Sequence, residues 1–573
     1  MSILEVASLA ILGSFIALIG DLSNLQKNFI FLFLQGTSFS ASEESFLIFY
    51  SVITLIAITI SAFFSMFVLW RLTIFGSLVG ADLSNRLYHY YLHQSWLFHT
   101  SRNSSDLINK ISNEANRVTN SVISQYMMLN GKLVMSLIIS FALIIFDPII
   151  AILGSLIFIS GYFSIYKLAK GRLERNSKTL TNSMKLRFKL MGEGFGGIRD
   201  TLLLGRQNLF SKRFQKASYD YFYALATSSI IGFLPRYFME LLAFCSVVLL
   251  VLYLLISYSG DPSTILPIIS FYAVAGFKLI PAFQQVYFST TVIRANLSSF
   301  ESLKEDLSNA PKISPEQTEP KDQYSLKKLN LQQSISLNNI SFKYPKSDKD
   351  ILNNVSFDIP AKEVIGIVGP SGSGKSTLID LLVGLITPGS GAINVDQTKL
   401  DATNIKDWQR NIGFVSQSIF LSDSSIRENI AFGLPANLIE EARIDNVCKM
   451  ARLEDFINEL SDGLDTIVGE RGVQLSGGQR QRIGIARALY NKVDVLVFDE
   501  ATSSLDGLTE KKVMEAIYSL SGQKTVILVA HRLATVKKCN KIFLMHDGSI
   551  NDEGTFEELK KNNQLFKELS KTS

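Results

Sequence analysis

Long runs of apolar residues dominate the first 300 residues of this 573-residue chain. A helix of about 20 mainly apolar residues is long enough to cross a bilayer. Six runs fit that description or come near it: Ile3–Gly20, Phe46–Trp70, Leu133–Phe146, Ile149–Phe163, Tyr237–Tyr258 and Ile265–Pro281. The third and fourth are short, but they meet at Asp147-Pro148, where a tight turn between two longer helices is expected. The pattern predicts six membrane-spanning helices.

The first run has an alternative interpretation as a secretory signal peptide. It lacks a basic segment in front of it, Glu5 interrupts it, and no convincing small-residue cleavage site follows it. A first spanning helix is therefore the favoured interpretation. Because the chain enters the membrane at once, we expect no peptidase domain ahead of this helix.

Basic residues predict which loops face the cytoplasm. Residues 167–216 hold 13 Lys and Arg against three acidic residues, and residues 86–117 are also basic. Cytoplasmic segments close to the spans carry an excess of Lys and Arg. Residues 71–118, residues 164–220 and the second half of the chain are therefore expected in the cytoplasm. Both cytoplasmic segments favour long helices, which we expect to be interrupted near Phe98–Asp106 and Asp200–Ser211.

The composition changes in the second half of the chain. Residues 309–333 are polar and contain three Pro, which is typical of a linker. We expect a transmembrane domain over 1–306, a linker over 307–333 and a soluble α/β domain over 334–573. A net charge of +5 is slight for this length, so no nucleic-acid partner is expected. Cys245, Cys448 and Cys539 are too far apart for a disulfide framework or a zinc site.

A glycine-rich loop is the strongest local signal in the soluble half. Ile335–Tyr344 and Val364–Val368 are predicted strands, and Leu378–Leu385 is a predicted helix. The loop between the second strand and the helix consists of Gly369, Pro370, Ser371, Gly372, Ser373, Gly374, Lys375, Ser376 and Thr377. This is the phosphate-binding pattern G-x-x-x-x-G-K-[ST] between a strand and a helix. Lys375 is placed for the β- and γ-phosphates of a nucleotide, and the Ser376 hydroxyl for Mg²⁺.

Two carboxylates follow another predicted strand, Val493–Phe498. Ligands collect at the carboxyl ends of strands in an α/β sheet. Asp499 is therefore a candidate for the Mg²⁺ shell, and Glu500 is a candidate general base that polarises a water molecule. Such a pair is weak evidence by itself, because surface Asp-Glu pairs at strand ends are common. Together with the phosphate loop, it predicts a site for ATP hydrolysis.

Between these two motifs lies Leu475-Ser476-Gly477-Gly478-Gln479, followed by a helix with several arginines. The pentapeptide resembles the signature of ABC transporters, and other residues match that family in order and spacing. Tyr344 resembles the aromatic residue that stacks on adenine, and Gln417 the glutamine that joins Mg²⁺. Gly469–Gly472 is similar to the cross-subunit loop of exporters, Ser503–Asp506 to the loop that couples two sites, and His531 to the switch histidine that contacts the γ-phosphate.

The resemblance covers the whole chain and implies an ABC exporter half-transporter. Its implied fold is an α-helical six-span transmembrane domain followed by an α/β P-loop ATPase domain. The implied cofactors are ATP and Mg²⁺, with Lys375, Glu500 and His531 as catalytic residues. In this family each ATP lies between the phosphate loop of one subunit and the signature of the other, which implies a homodimer or a heterodimer with a similar chain. Glu500 and His531 are both present, which argues against an inactive subunit.

The membrane half resembles, more loosely, the lipid-linked oligosaccharide flippases of bacterial protein glycosylation. The similar stretches are Leu4–Ile11, Pro235–Leu242, Phe277–Pro281 and Leu25–Gln35, the last matching a short external helix. This resemblance implies flipping of an anionic glycolipid in a bacterial cytoplasmic membrane, with membrane lipid as a partner. Those proteins usually have an amphipathic segment before a fuller first helix, so a misplaced start codon or a trimmed chain stays open here.

Three basic residues are candidates for the path of the substrate. At 1.5 Å per residue, Arg71 lies roughly 37 Å from Phe46 and Arg236 roughly 33 Å from Tyr258, both at the inner edge of the hydrocarbon. Glu240 is one turn from Arg236, where the two side chains are expected to pair. Each is either an interfacial anchor or a cavity residue. Lys278 lies about 20 Å inside its span, where a charge usually faces a wet interior.

Two further function classes are alternatives to flipping. An exporter of peptides or hydrophobic drugs uses the same machinery and stays open. A non-transport ATPase, such as a DNA-repair or ribosome-bound ABC protein, lacks spans and is excluded by the first 300 residues.

Overall fold

The structure is a computed structural model that describes residues 2–20, 43–146, 148–257, 262–311, 327–345, 347–501, 507–530 and 532–572. The chain forms two compact units, one of residues 1–94 and 98–318 and the other of residues 95–97 and 319–573. The first unit is helical, and the second contains two β-sheets. Several predicted features lie wholly or partly outside the described residues: the external segment Leu25–Gln35, Asp147, Tyr258, most of the linker, Ser503–Asp506 and His531.

The described residues before the linker contain ten α-helices, all in the helical unit except the first two residues of α3. They are α1 (Ser2–Gly20), α2 (Glu43–Leu92), α3 (Trp96–Ser101), α4 (Ser104–Asn109), α5 (Ala115–Arg117), α6 (Ser124–Phe146), α7 (Pro148–Gly196), α8 (Ile198–Leu203), α9 (Gln207–Ser257) and α10 (Pro262–Asn309). Two π-helical segments, Lys110–Glu114 and Val118–Ile123, join α4, α5 and α6 without a break. Helices α1, α2, α6, α7, α9 and α10 contain the six predicted runs, apart from Tyr258, which lies outside the described residues.

Three helical stretches in the described part of the chain are long and apolar enough to cross a membrane. They are Glu44–Leu92, Ser104–Ile145 and Gln207–Leu249, and Ile3–Ile16 is a shorter apolar helix. Large apolar side chains on these helices, such as Phe63, Phe141 and Phe244, are exposed. An apolar surface of this kind suits a lipid environment, because lipid tails impose no cost on exposed hydrocarbon.

The predicted interruptions of the cytoplasmic helices are confirmed. Helix α2 continues to Leu92, and the short α3 and α4 follow it near Phe98–Asp106. Helix α7 continues to Gly196, and α8 and α9 are separated at residues 204–206. The side chain of Asn103 accepts a hydrogen bond from the Ser105 N–H (2.9 Å) and caps α4.

The end of α10 is held by a cluster around Asp306, whose side chain is buried. Its carboxylate accepts hydrogen bonds from Tyr91 Oη (2.8 Å), Lys110 Nζ (2.6 Å) and Arg102 Nη1 (3.4 Å). Arg86 donates to the carbonyls of Leu307 and Ala310, which otherwise lack partners at a helix C-terminus. Burial would raise the pKa of Asp306, but the hydrogen bonds from Lys110 and Tyr91 outweigh it and lower that pKa. The cluster fixes α10 against α2 and the first π-helical segment.

The second unit contains a six-stranded sheet in the order β10-β9-β3-β8-β7-β6 and a four-stranded sheet in the order β2-β1-β4-β5. The strands are β1 (Ser334–Phe342), β2 (Leu352–Pro360), β3 (Val364–Val368), β4 (Ser390–Val395), β5 (Thr398–Lys399), β6 (Ile412–Val415), β7 (Val495–Asp499), β8 (Thr525–Val529), β9 (Lys541–His546) and β10 (Ser549–Gly554). In the larger sheet β9, β3, β8, β7 and β6 are parallel, and β10 is an antiparallel edge.

Nine α-helices accompany these strands. They are α11 (Lys375–Leu382), α12 (Ile405–Gln409), α13 (Ile426–Ile430), α14 (Glu441–Met450), α15 (Glu454–Asn458), α16 (Gly477–Tyr490), α17 (Gly507–Tyr518), α18 (Phe556–Asn562) and α19 (Gln564–Thr572). The described residues also contain 3₁₀-helical turns at Ala436–Leu438, Gly463–Asp465, Glu470–Gly472 and Leu533–Val536. Strands β3, β7 and β8 are apolar and buried almost throughout, as expected for a parallel sheet covered on both faces.

Four predicted element boundaries were wrong by two or three residues. Strand β7 begins at Val495 rather than Val493, α11 begins at Lys375 rather than Leu378, and two elements end earlier than expected. The first strand was expected to reach Tyr344, but β1 stops at Phe342, opposite the first residue of β2. Tyr344 instead opens a turn that the Ser347 N–H closes. The helix after the phosphate loop was expected to reach Leu385, but α11 ends at Leu382. The Leu385 N–H bonds back to the Asp380 carbonyl (2.8 Å) in a Schellman motif.

Candidate functional site

The phosphate loop lies at the carboxyl end of β3, between β9 and β8, and leads into α11. A Cβ atom on Gly369 would lie 2.3 Å from the Met545 carbonyl oxygen, so the loop can pass β9 only with glycine there. Gly374 precedes the first helical residue and has a φ of +97°, which a residue with a side chain rarely adopts. The backbone therefore requires these two glycines before any ligand is considered.

Lys375 is the first residue of α11 and is only 5% exposed. Its Nζ donates hydrogen bonds to the carbonyl oxygens of Gly369 and Pro370, both at 2.9 Å. Burial lowers the pKa of the Lys375 amine, and the carboxylates of Glu500 and Asp499 oppose part of that shift. The structure thus brings Lys375 into electrostatic contact with both predicted carboxylates.

A phosphate group fits the donors around this lysine. The Ser373 Oγ is buried and has no hydrogen-bond partner in the part of the chain that the structure describes. Ser376 is exposed in the first turn of α11, where backbone N–H groups have no partner inside the helix. Buried donors, a helix N-terminus and an ammonium group are the features that bind phosphates.

Asp499 is the last residue of β7, and Glu500 follows it with a φ of +51°. The Glu500 N–H bonds to the Val529 carbonyl of the neighbouring β8 (3.0 Å). One side-chain oxygen of Glu500 accepts a hydrogen bond from Gln417 Nε2 (2.7 Å). A left-handed backbone at a residue other than glycine costs energy, and such residues concentrate at functional sites. Among the described residues, no hydrogen bond engages the Gln417 amide oxygen, so it can bind another ligand.

Arg487 of α16 supports the segment that follows Gln417. It donates to the carbonyl oxygens of Phe420 (2.8 Å) and Asn429 (2.7 Å), and its guanidinium lies 4.7 Å from the centre of the Phe432 ring. Burial lowers its pKa to about 10, so it remains charged at neutral pH. The sequence identified Arg487 only as part of a basic helix, because nothing in its local pattern indicates these distant carbonyl partners.

The signature segment forms the N-terminus of α16. Ser476 is the N-cap, and its side chain accepts from the Gln479 N–H (3.2 Å) while Gln479 Oε1 accepts from the Ser476 N–H (2.7 Å). This capping box leaves Gly477 and Gly478 in the first turn of a 14-residue helix. Within the described residues, no hydrogen bond joins Ser476–Gln479 to the phosphate loop of the same chain.

Tyr344 lies beside the start of α11. Its ring packs edge-to-face on Phe342, with ring centres 5.0 Å apart, and its hydroxyl is 3.4 Å from Thr377 Oγ1. The ring is half-buried. Its predicted role in stacking on adenine stays a prediction, as do the predicted roles of His531 and Ser503–Asp506, which lie outside the described residues.

The donor set around the loop also suits Mg²⁺, which prefers oxygen ligands and keeps several water molecules. Ser376, Gln417 and Asp499 offer a hydroxyl, an amide oxygen and a carboxylate. In the described part of the chain, no group of three or more His, Cys, Asp or Glu side chains is arranged to hold a metal ion. A magnesium ion here would therefore depend on phosphate oxygens and water to complete its coordination.

A second candidate site is a cavity of roughly 530 Å³ in the helical unit. It is lined by residues of α1, α2 and α10, among them Glu5, Ser65 and Lys278. Lys278 forms no hydrogen bond or ion pair with another described residue. Arg71 and Arg236 are exposed and are not among the described residues that line the cavity. The predicted pairing of Arg236 with Glu240 is confirmed, with Nε to Oε1 at 2.8 Å.

The sequence did not identify an ion pair at this cavity, between Glu5 of its lining and Lys132. Glu5 is only 6% exposed, and its Oε2 lies 3.6 Å from Lys132 Nζ of α6. Its Oε1 accepts a hydrogen bond from Ser65 Oγ of α2 (2.9 Å). Lys132 directly precedes the third apolar run and was counted as outside it. Charges within spanning helices are rare and usually functional, which is the signal that could have identified this pair.

A separate cavity of roughly 160 Å³ is lined by α6, α7, α9 and α10. Its lining includes small residues such as Gly154 and Gly276 and the aromatic ring of Phe283, and no charged side chain. It therefore offers an apolar environment on a different side of α10 from Lys278.

Comparison with known proteins decides the family. The family model for the ABC transporter matches residues 352–503, and the model for the ABC transporter transmembrane region matches residues 10–277. The heterocyst differentiation ATP-binding protein HepA of Nostoc sp. is 32% identical over 465 residues, which are 80% of this chain and 73% of that protein. The chain belongs to the ABC transporter family.

Other similar proteins match this ABC transporter over shorter stretches. The leukotoxin translocation ATP-binding protein LktB of Mannheimia glucosida is 46% identical over 44% of this chain and 36% of its own length. The ATP-dependent lipid A-core flippase of Aliivibrio fischeri is 39% identical over 42% of this chain and 41% of its own length. The solved structure of a bacterial Atm1-family ABC exporter with ATP bound has a TM-score of 0.77 at 21% identity, over 99% of this chain and 98% of that one. It shares the fold.

These matches confirm the predicted fold class and the predicted enzyme class. This ABC transporter has an exporter-type transmembrane domain followed by an ATPase domain that binds ATP, and it couples ATP hydrolysis to transport across a membrane. It is an integral membrane protein. The alternative of a non-transport ATPase remains excluded.

Proposed function

We propose that this exporter flips an amphiphile with an anionic head group across a bacterial cytoplasmic membrane, and that a lipid-linked oligosaccharide is its cargo. The observation that carries the proposal is Lys278, which lines the cavity between α1, α2 and α10 without a partner among the described residues. A charged residue at the centre of a spanning helix costs about 3 kcal/mol. A cation kept at this cost is explained by a negatively charged group that passes it.

Similarity to known transporters supports a lipid cargo without naming it. The lipid A-core flippase of Aliivibrio fischeri moves a lipid, and the similarity to it covers 42% of this chain. The loose resemblance of Pro235–Leu242 and Phe277–Pro281 to oligosaccharide flippases includes Lys278 itself. The cation in the cavity and the flippase-like stretches both favour an anionic lipid as cargo.

In the ATPase domain, we assign each motif residue one task. Lys375 leaves the carbonyls of Gly369 and Pro370 to bind the β- and γ-phosphates of ATP. Glu500, oriented by its hydrogen bond from Gln417, polarises the attacking water. His531 contacts the γ-phosphate, and Tyr344 stacks on adenine. Ser376, Gln417 and Asp499 would hold Mg²⁺, which supplies positive charge to the phosphates when it is bound.

Two copies of the chain would complete the ATP sites. The described contacts of Ser476–Gln479 stay within its own capping box, and the first turn of α16 carries two glycines. A helix N-terminus of this kind suits the phosphate of an ATP bound to another subunit. We therefore expect a homodimer, or a heterodimer with a similar chain.

The test is transport by the purified exporter in proteoliposomes, with a labelled lipid-pyrophosphate glycan as cargo. Lys278→Ala should lower the number of molecules flipped per ATP hydrolysed at least fivefold, because an anion in the span loses its counter-charge. Lys278→Arg should be milder, since a phosphate needs the charge more than a particular shape. Unchanged flipping by Lys278→Ala would remove the anionic cargo from the proposal.

Export of a hydrophobic peptide or drug is the second candidate, and the apolar cavity near Gly276 and Phe283 favours it. A neutral or cationic cargo would make Lys278→Ala harmless or favourable. Stimulation of ATP hydrolysis by hydrophobic dyes and peptides, with no response to glycolipids, would select this function over lipid flipping.

A further inference from the structure

Three charged residues of the helical unit lie at a similar depth. Glu5, Lys132 and Lys278 are 15, 14 and 16 residues from the helix ends Gly20, Phe146 and Pro262. At 1.5 Å per residue each is roughly 20 to 25 Å along its helix. Glu5, Lys132 and Lys278 thus lie at similar distances along α1, α6 and α10, and we call these three residues the charged layer.

The three charges are unequally satisfied. Both carboxylate oxygens of Glu5 have partners, one in Lys132 (3.6 Å) and the other in Ser65 (2.9 Å). Lys132 pairs with no other carboxylate among the described residues, and Lys278 pairs with none of them. Glu5 and Lys278 line the same cavity. These three residues comprise two cations and one anion, and the anion already neutralises one of the cations.

We propose that Glu5 is a built-in competitor of the cargo. It occupies Lys132 while the cavity is empty, and the anionic phosphate or pyrophosphate group of the cargo displaces it and binds Lys132 and Lys278 together. When the cargo leaves, Glu5 returns to Lys132. This inference rests on the proposed function, because it requires an anionic cargo.

Competition of this kind has a physical consequence for transport. A carboxylate in the binding layer repels an incoming anion and competes with it for Lys132, so it weakens binding. It also stabilises the empty site, because Lys132 is never left as an unpaired cation in a low-dielectric environment. Weaker binding favours release, which a transporter needs after each cycle. A pair that served only to hold α1 against α6 would not affect the affinity for anions.

The test uses the full-length exporter in phosphatidylcholine vesicles and measures ATP hydrolysis as undecaprenyl pyrophosphate is added. For Glu5→Gln we expect the half-saturating concentration to fall about tenfold, since a repulsive charge has been removed at short range. The maximal stimulated rate should fall as well, because release becomes slower. Uncharged undecaprenol should give the same response with wild type and with Glu5→Gln.

A pair of substitutions and a matched control guard against simple misfolding. Lys132→Met alone leaves Glu5 without its cation and should raise the half-saturating concentration, whereas the double variant with Glu5→Gln should return toward the wild-type value. The control is Glu174→Gln, which breaks an interhelical ion pair of α7 with Arg294 of α10 outside the cavity. The control should keep the wild-type half-saturating concentration.

The outcomes separate this inference from the proposed function. Suppose that Glu5→Gln still responds to the pyrophosphate, with an unchanged or higher half-saturating concentration. Glu5 would then not compete with the cargo, and its ion pair with Lys132 would have only a structural role. If Lys278→Ala leaves the stimulation of ATP hydrolysis by the pyrophosphate unchanged, the proposal of an anionic cargo is overturned. If phosphatidylglycerol stimulates ATP hydrolysis and Glu5→Gln strengthens that stimulation, the displacement of Glu5 by an anion is supported. The anion would then be a bulk phospholipid. No response to either anion in wild type or Glu5→Gln would overturn both.

Discussion

Lys375 in the ATPase unit and Lys278 in the helical unit both place a cation away from bulk water, but they are held in different ways. The Lys375 amine donates to two carbonyls of its own loop and lies near Asp499 and Glu500. Lys278 lines a cavity made by three helices and has no partner among the described residues. The surroundings of Lys375 come largely from its own loop, whereas those of Lys278 come from helices far apart in sequence.

This difference predicts different sensitivities. A loop that presents its own donors recognises one chemical group, and replacing its lysine removes a specific contact to phosphate. A cavity between helices recognises charge at a distance, so its lysine affects the affinity for cargo more than the chemistry of hydrolysis. Variants of the phosphate loop should therefore change the rate of ATP hydrolysis, whereas variants of the cavity should change the transport of cargo.

The largest effect is expected in the phosphate loop. Lys375→Ala should lower ATP hydrolysis at least 100-fold, because the phosphates lose their fixed positive charge. Lys349→Ala, which removes an exposed lysine of the same unit, is the matched control and should hydrolyse ATP normally. The measurement is phosphate release by the purified protein. An equal loss of hydrolysis in Lys278→Ala would break the contrast between the two lysines.

Glu500→Gln should separate binding from chemistry at the same site. The amide keeps the size of the side chain but cannot act as a base, so ATP binding should persist while turnover falls at least 100-fold. Binding of a fluorescent ATP analogue and phosphate release measure the two steps separately. Full hydrolytic activity in Glu500→Gln would show that another group polarises the water.

An intermediate effect is expected when two defective subunits are mixed. In a dimer of Lys375→Ala with Ser476→Arg, one site carries both defects and the other is intact. Mixing should restore roughly a quarter of wild-type hydrolysis, since half of the dimers are mixed and each has one good site. Each variant alone should remain inactive. Hydrolysis by a fraction with the mass of a single chain would contradict shared sites.

The smallest effect is expected at Asp306, which stabilises the helical unit without lining either site. Asp306→Asn should lower the thermal unfolding midpoint by roughly 2 °C, because Lys110 and Arg102 lose their counter-charge. Glu305→Gln, at an exposed neighbouring position, should leave the midpoint unchanged. Since the folded pKa of Asp306 is lowered, its contribution is complete above about pH 4 and is lost as the pH falls through the folded value. The difference between Asp306→Asn and wild type should therefore be constant from pH 6 to 8, and a difference that varied over that range would contradict the assignment.

Much of the architecture could be predicted because it depends on local pattern. The six apolar runs, the strand before Gly369 and the pairing of Arg236 with Glu240 all follow from residues a few positions apart. The errors at Tyr344 and Leu385 have local causes as well. Strand β1 ends where β2, its pairing partner, begins. Helix α11 ends where the Leu385 N–H bonds back to the Asp380 carbonyl.

The sequence alone determined that this protein has membrane-spanning helices and a phosphate loop between a strand and a helix. Apolar length and backbone geometry are properties of short segments, so they can be read without knowing the fold. Only the tertiary structure decided that Glu5 meets Lys132, that Gln417 meets Glu500 and that Lys110 meets Asp306. These pairs join residues far apart in the chain, and their contact depends on how whole helices and strands pack, which no local pattern encodes.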